Sequence, residues 1–360
     1  MISPVRFQRA LLAWDALHRR EFPWIGERDP YKIWISEIML QQTRFEQAEG
    51  YYHRFLKKYP TLKKLALSKE SDVINLWKGL GYYSRARNLR KTALLIQEQF
   101  SGSIPEEVSL LKKLPGIGDY TASAIAAFAF QKPAPVMDGN VIRLYSRLLG
   151  ISFLPARAEE KKFWKETIHK YFLPLDPASF NQAIMNFGAV HCKPVNPLCD
   201  QCPFEKDCIA YQQEQVHRFP PKKTKGKIRD RHFHYILMEN EIGQIAIQPR
   251  LQKDIWHKLF ELPKLETGST KRIRKITYKD LFPDVDLPAK EIQLTYLQSD
   301  LALLSHQKIH CHFYSCCGSW FPSKIKQAIS FVNRENLSNF AFPSVLLRFF
   351  SHFNLSAYVK

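Results

Sequence analysis

The chain has 360 residues, enough for two domains that each bury a core, and its 45% apolar and 24% charged content is ordinary for a globular protein. Its 53 basic residues against 34 acidic ones leave a formal charge of +19, which points to a polyanionic partner. No apolar run approaches the roughly 18 residues of a spanning helix, and the N-terminus lacks an apolar stretch with a small-residue cleavage site, so membrane insertion and secretion are set aside and a cytoplasmic location is expected.

Phe7, Ala10, Leu11, Trp14 and Leu17 recur at helical spacing and predict a first amphipathic helix facing a core. Helical patterns follow over 33–42, 72–78, 84–99, 122–130 and 141–149, separated by Pro and Gly. An all-α region is therefore expected over residues 1–216. Residues 217–231 read HRFPPKKTKGKIRDR, with too few apolar side chains to pack, and predict an exposed basic linker over 217–230. Beyond it, 232–239, 244–248, 292–297 and 308–315 are β-branched or aromatic and predict strands. Helical patterns near 324–332 and 344–353 complete a smaller α/β domain over 231–360. Cys311, Cys316 and Cys317 are read there as packed thiols, and His310 and His312 as exposed strand positions rather than ligands.

Three stretches carry chemistry. Glu37 lies within Ile33-Trp34-Ile35-Ser36-Glu37-Ile38-Met39-Leu40. It is either on the wet face of a helix or desolvated, and desolvation would raise its pKa and make it a general acid. Asp138 precedes a helical run and reads as an N-cap, a position from which a carboxylate can also be aimed into a cleft. Leu114-Pro115-Gly116-Ile117-Gly118 forms a glycine hairpin between two helices. Gly116 and Gly118 allow another backbone to approach closely, as a phosphate chain would.

Cys192, Cys199, Cys202 and Cys208 are spaced C-x6-C-x2-C-x5-C. Four thiols so close in sequence suit one centre, either zinc or an iron–sulfur cluster, and disulfides fit poorly in a chain without secretory features.

The stretches PYKIWISEIMLQQTR (30–44), GLGYYSRARNL (79–89), LPGIGDYTASAI (114–125), VMDGNVIRL (136–144) and FNQAIMNFGAVHCKPVNPLC (180–199) resemble the endonuclease III superfamily of DNA glycosylases. Within it the chain is most similar to the adenine DNA glycosylases, the MutY type, which remove adenine mispaired with 8-oxoguanine or guanine. The resemblance implies an N-terminal all-α helix-hairpin-helix glycosylase fold, a six-helix barrel with a [4Fe–4S] cluster loop on the four cysteines. It also implies a C-terminal α/β Nudix-like domain, through Trp256, Leu259-Phe260-Glu261-Leu262-Pro263 and Leu304-Ser305-His306.

By the same resemblance Glu37 is the catalytic acid and Asp138 the carboxylate facing the sugar, with Tyr120 and Asn140 beside them. Trp24 and Gln182 match the adenine pocket. Gln42 and Tyr82 match residues that enter the duplex, and Ser305 and His306 match the pair that recognises the oxidised base. The implied partner is double-stranded DNA carrying an A:8-oxoguanine or A:G mispair, bound by a monomer. The chain departs from the pattern at Ile25, where some relatives have Arg, and at Leu304, where an aromatic residue is usual. Strand-cleaving relatives, the alternative function, carry Lys where this chain has Tyr120. The C-terminal region has no R-E-x-x-E-E helix, which tells against pyrophosphatase activity.

Overall fold

The computed structural model describes residues 2–43, 45–173, 175–222, 228–269, 271–287, 290–304, 306–316, 325 and 329–355. The chain divides into two units, residues 1–76 with 84–223 and residues 77–83 with 224–360.

The first unit is helical: α1 (Pro4–His18), α2 (Pro30–Leu40), α3 (Phe45–Lys58), α4 (Leu62–Ala66), α5 (Glu70–Leu76), α6 (Ser84–Gln99), α7 (Val108–Leu111), α8 (Asp119–Phe130), α9 (Gly139–Leu149), α10 (Ala158–Tyr171), α11 (Pro177–Val190) and α12 (Ile209–Gln212). Short polar side chains start these helices where the sequence supplies them. Asp29, Asp138 and Asp176 accept hydrogen bonds from the amides of Tyr31, Val141 and Ser179, and Pro30 and Pro177 occupy first-turn positions where no amide is needed. One core joins α1, α9, α10 and α11 through Phe7, Leu11, Tyr145, Trp164, Phe180 and Phe187. Leu17 departs from the expected core stripe. It is 82% exposed, because the buried face of α1 ends at Trp14 and Asp15.

The second unit carries a five-stranded sheet in the order β4-β1-β7-β6-β5 and a three-stranded sheet in the order β3-β2-β8. The strands are β1 (Arg229–Leu237), β2 (Ile245–Pro249), β3 (Phe260–Glu261), β4 (Lys264–Thr267), β5 (Lys275–Thr277), β6 (Glu291–Leu303), β7 (Gln307–Cys316) and β8 (Ser330–Val332). The pairing of β1 with β7 is parallel, and the other paired strands run antiparallel. One face of the large sheet, with Phe233, Tyr235 and Phe313, packs on α14 (Ser344–His352). The other, with Ile236 and Tyr314, packs with α13 (Tyr278–Leu281).

Three sequence expectations are corrected here. Residues 229 and 230, assigned to the linker, begin β1. Arg231, read with them as part of the basic stretch, is buried because Glu266 at 2.7 Å and Asp254 at 2.9 Å neutralise it. Residues 330–332 form a strand paired with β2 instead of a helix end. His312 is buried, not exposed. His232, His234, His310 and His312 share one sheet face and stack, with ring centroids 4.6 Å apart for His232 and His310 and 4.8 Å for His234 and His312. Cys311 is a packed thiol, as expected, and Cys317 lies outside the described residues.

Candidate active site and cysteine loop

Helix α2 is buried through seven successive residues, 33–39, so it has no wet face at Glu37. Glu37 is 6% exposed, and its carboxyl Oε2 has no hydrogen-bond partner. Burial pushes its pKa up to about 7; the Tyr120 hydroxyl beside it offsets part of that rise, and the negative charge of Asp138 adds to it. Of the two environments open to Glu37 in the sequence, the desolvated one is realised.

Asp138 caps α9. Its Oδ1 accepts from the Val141 amide at 2.8 Å and its Oδ2 from Asn140 Nδ2 at 2.9 Å. Burial raises its pKa, while these two donors favour the ionised form. Asn140 is itself held, since Arg143 Nη2 donates to its Oδ1 at 2.8 Å. Gly188 of α11 leaves the space, because a Cβ there would meet Asn140 Cβ at 2.6 Å.

Glu37, Asp138, Tyr120 and Asn140 all line one cavity of about 390 Å³, together with Trp24 and Gln182. Phe22, Trp24 and Phe45 form an aromatic wall, with Phe22 and Phe45 centroids 4.1 Å apart and Trp24 and Phe45 5.2 Å apart. Such a wall suits a planar ring. Ile25 also lines the cavity, an apolar contribution at the position of the family departure. A desolvated carboxyl with a raised pKa and a second carboxyl held by two donors, both facing one cavity, are the pair that cleavage at an anomeric carbon uses.

Sequence reasoning missed several residues here. Arg20 lines the cavity, stacked over Phe22 at 4.6 Å, with its Nε donating to Asn186 Oδ1 at 3.0 Å. Asn186 in turn donates to the buried Asp15 at 2.9 Å. For Asp15 and Asn186 the available signal was a charged or amide residue inside an apolar helical pattern; Arg20 lies past the end of α1 in a run of charged residues and carried no such signal.

The remaining expected positions lie elsewhere. Gln42, just past α2, is exposed with φ +57°, and Tyr82 is 51% exposed with φ +48°, both left-handed conformations unusual for such residues. Gly116 has φ +81°, and a Cβ on it would strike Asn88 Cβ at 2.8 Å. Gly118, just before α8, has open space around it. His306 is exposed at the turn joining β6 and β7, which the Leu304 amide closes by donating to the Gln307 carbonyl at 2.9 Å. Ser305 lies outside the described residues.

Cys192, Cys199, Cys202 and Cys208 are free thiols that line one small cavity with Arg147, Leu148 and Phe204. Burial raises the pKa values of Cys199, Cys202 and Cys208, Cys202 to about 12. Among the described residues no three His, Cys, Asp or Glu side chains converge at the spacing of a single ion. Two arginines of α9 grip the loop. Arg143 Nε donates to the Cys192 carbonyl at 2.8 Å, and Arg147 Nη1 donates to Cys192 Sγ at 3.3 Å and to the Lys193 carbonyl at 2.8 Å.

Residues 35–168 match the family of HhH-GPD superfamily base excision DNA repair proteins. The adenine DNA glycosylase of Buchnera aphidicola subsp. Schizaphis graminum is 36% identical over 294 residues, which cover 81% of this chain and 83% of that protein. The human adenine DNA glycosylase is 39% identical over 222 residues, 58% of this chain and 41% of that protein. Among solved structures, a thermostable thymine-DNA glycosylase aligns with TM-score 0.55 at 30% identity, covering 58% of this chain and 97% of its own. An endonuclease III–DNA complex aligns with TM-score 0.50 at 22% identity, covering 59% of this chain and 99% of its own, a likeness of fold.

Proposed function

The chain belongs to the adenine DNA glycosylase family, and from that membership we propose that it excises adenine mispaired with 8-oxoguanine or guanine, leaving an abasic site. The observation that carries this reading is the desolvated Glu37, whose Oε2 has no hydrogen-bond partner, facing the same cavity as the capped Asp138.

Adenine extruded from the duplex enters between Phe22, Trp24 and Phe45, at the expense of a few kcal/mol of unstacking. Glu37, protonated near neutral pH, donates its proton to adenine N7. The bond between N9 and the sugar C1′ then breaks, its electron pair leaving with the base. Asp138, whose ionised form is favoured by its two donors, faces the positive charge that develops at the sugar. Water adds to C1′ and surrenders a proton to Glu37, which restores the acid. Trp24 and Gln182 shape the adenine site, and Tyr120 and Asn140 hold the two carboxyls. Because the Tyr120 phenol cannot form an imine, strand cleavage through a Schiff base is not expected.

Gly116 and Gly118 receive the DNA backbone, and Gln42 and Tyr82 enter the duplex, Tyr82 as an aromatic wedge. The second unit serves as a Nudix-like domain that reads 8-oxoguanine through Ser305 and His306. A [4Fe–4S] cluster on Cys192, Cys199, Cys202 and Cys208 fits the donor set, since such clusters are held by four cysteine thiolates and a four-iron core holds its ligands further apart than one ion does. Bound there, such a cluster would tie the loop into one rigid piece, and the proton transfer from Glu37 and the attack of water require no electron transfer. Among the described residues no helix is long and apolar enough to cross a membrane. The enzyme acts as a cytoplasmic monomer on double-stranded DNA that carries the mispair.

The test is adenine release from a duplex with adenine opposite 8-oxoguanine, comparing the wild type with Glu37→Gln. Release by the wild type alone, with strands intact until alkali is added, is the expected result. Equal release by both proteins, or nicking coupled to base loss, would overturn the assignment.

A further inference from the structure

An acidic residue sits beside the glycine hairpin. Asp119 directly follows Gly118 as the first residue of α8, and two cations from different elements hold its carboxylate. Lys112 Nζ, just past α7, lies 2.5 Å from Oδ1, and Lys165 Nζ of α10 lies 3.2 Å from Oδ2. The Lys112 hydrogen bond, with Lys165 behind it, lowers the Asp119 pKa. All three side chains stay 42–46% open to solvent, so these pairs can exchange with an outside anion.

The placement is unexpected in a protein of charge +19, because a carboxylate next to a hairpin that receives phosphate repels its ligand. Two ammonium groups at the same spot attract it. We propose that Asp119 is an internal stand-in for a DNA phosphate: it keeps Lys112 and Lys165 beside the hairpin in the free protein and yields them to the duplex on docking. This rests on the reading of Gly116 and Gly118 as a backbone-binding hairpin. With Asp119 the trio carries a net charge of +1 and neutralises about one phosphate; without it the trio would neutralise about two. The acid therefore lowers sequence-independent affinity, which helps an enzyme that must leave undamaged DNA quickly.

Counterion release reads this difference directly. Each added phosphate contact steepens the plot of log affinity against log salt by about 0.9. The experiment measures binding to a duplex with adenine opposite 8-oxoguanine, using Glu37→Gln as the parent so that no turnover occurs, from about 50 mM to about 1 M salt. Asp119→Asn in that parent is expected to steepen the slope by about 0.9 and tighten binding about tenfold at the lowest salt, the gain vanishing near the highest. Adding Lys112→Met should return the slope to the parent's. Asp119→Ser keeps an oxygen at the start of α8 while removing the same charge, and serves if the Asn variant folds poorly. A parent that binds while both variants show its slope would overturn this inference alone, leaving Asp119 as a helix-starting residue. A parent that does not bind the duplex would overturn the glycosylase reading and this inference with it.

Discussion

Asn140 donates from Nδ2 to Asp138 Oδ2 at 2.9 Å while accepting from Arg143 Nη2 at 2.8 Å, so the catalytic carboxylate candidate is held through an amide whose own orientation is fixed. Asp138→Asn keeps an oxygen to cap Val141 but removes the negative charge. Base release should fall at least about a hundredfold and DNA affinity should persist, while stability falls by about 1–3 kcal/mol, because the new amide nitrogen must face either the Asn140 Nδ2 or the Val141 N–H donor. Single-turnover excision alongside thermal unfolding checks this. Activity lost only in proportion to the folded protein lost would reduce Asp138 to a cap.

Glu37 sets a pH dependence of known sign. Its acid form is the active one and its pKa is about 7, so single-turnover excision should decline above that pH, approaching tenfold per unit. The folded state also holds this proton more tightly than the unfolded chain does. Stability is therefore lost as pH rises from about 4.5 to about 7, by up to about 3 kcal/mol. Glu37→Gln should be more stable than the wild type at pH 8 and show less advantage at pH 5. The reverse order in thermal melts would mean that Glu37 is ionised and paired.

The cysteine loop predicts a yellow-brown protein with about four irons per chain, measured by metal analysis and visible absorption. Stoichiometric zinc without colour would replace the cluster with a single ion.

Removing residues 229–360 should leave adenine excision measurable while eroding the preference for 8-oxoguanine over guanine opposite the adenine. The cut belongs before Arg229, where β1 begins. His306→Ala should reproduce part of the loss in competition assays. Undiminished discrimination in both proteins would remove the second unit from recognition.

The stacked histidines should make that unit sensitive to acid. Burial lowers the pKa values of His232, His234 and His312, that of His234 to about 4. A depressed histidine pKa means the unfolded chain gains its proton first. Stability is thus lost as pH falls from about 6.5 toward 4, by at most about 3 kcal/mol for His234. Hydrogen exchange in β1 and β7 should accelerate over that window, and His234→Asn should flatten the change. Exchange that ignores pH between 7 and 5, after correction for intrinsic rates, would contradict this.

Much of the helical region was legible because local signals and tertiary packing agree there. The 84–99 pattern is the whole of α6, and the cap at Asp138 sits where its sequence position indicates. The Glu37 environment was not legible, because periodicity cannot say whether a helix is covered on one face or all round. Arg20 and Asn186 escaped notice for a related reason: their partners are up to 171 residues away along the chain. Arg231 and the histidine stack show the converse failure. Polarity in sequence suggested exposure, and partners on neighbouring strands made burial tolerable.

Helix α9 is buried at eight successive positions, 141–148, and two of them are arginines that bind the cysteine loop. A helix with no wet face offers mutation no neutral side. Among random substitutions across the first unit, those in α9 should be purged most completely, and conservative exchanges such as Arg143→Lys should be purged with them, because a single ammonium cannot serve the four oxygens of Cys192, Gly139, Asn140 and Gly188 that the planar Arg143 fork reaches. A selection for mutation suppression would therefore trace this helix as an unbroken run of intolerance, whereas on the mostly exposed α10 intolerance would recur only every third or fourth residue, at Trp164, Ile168 and Tyr171.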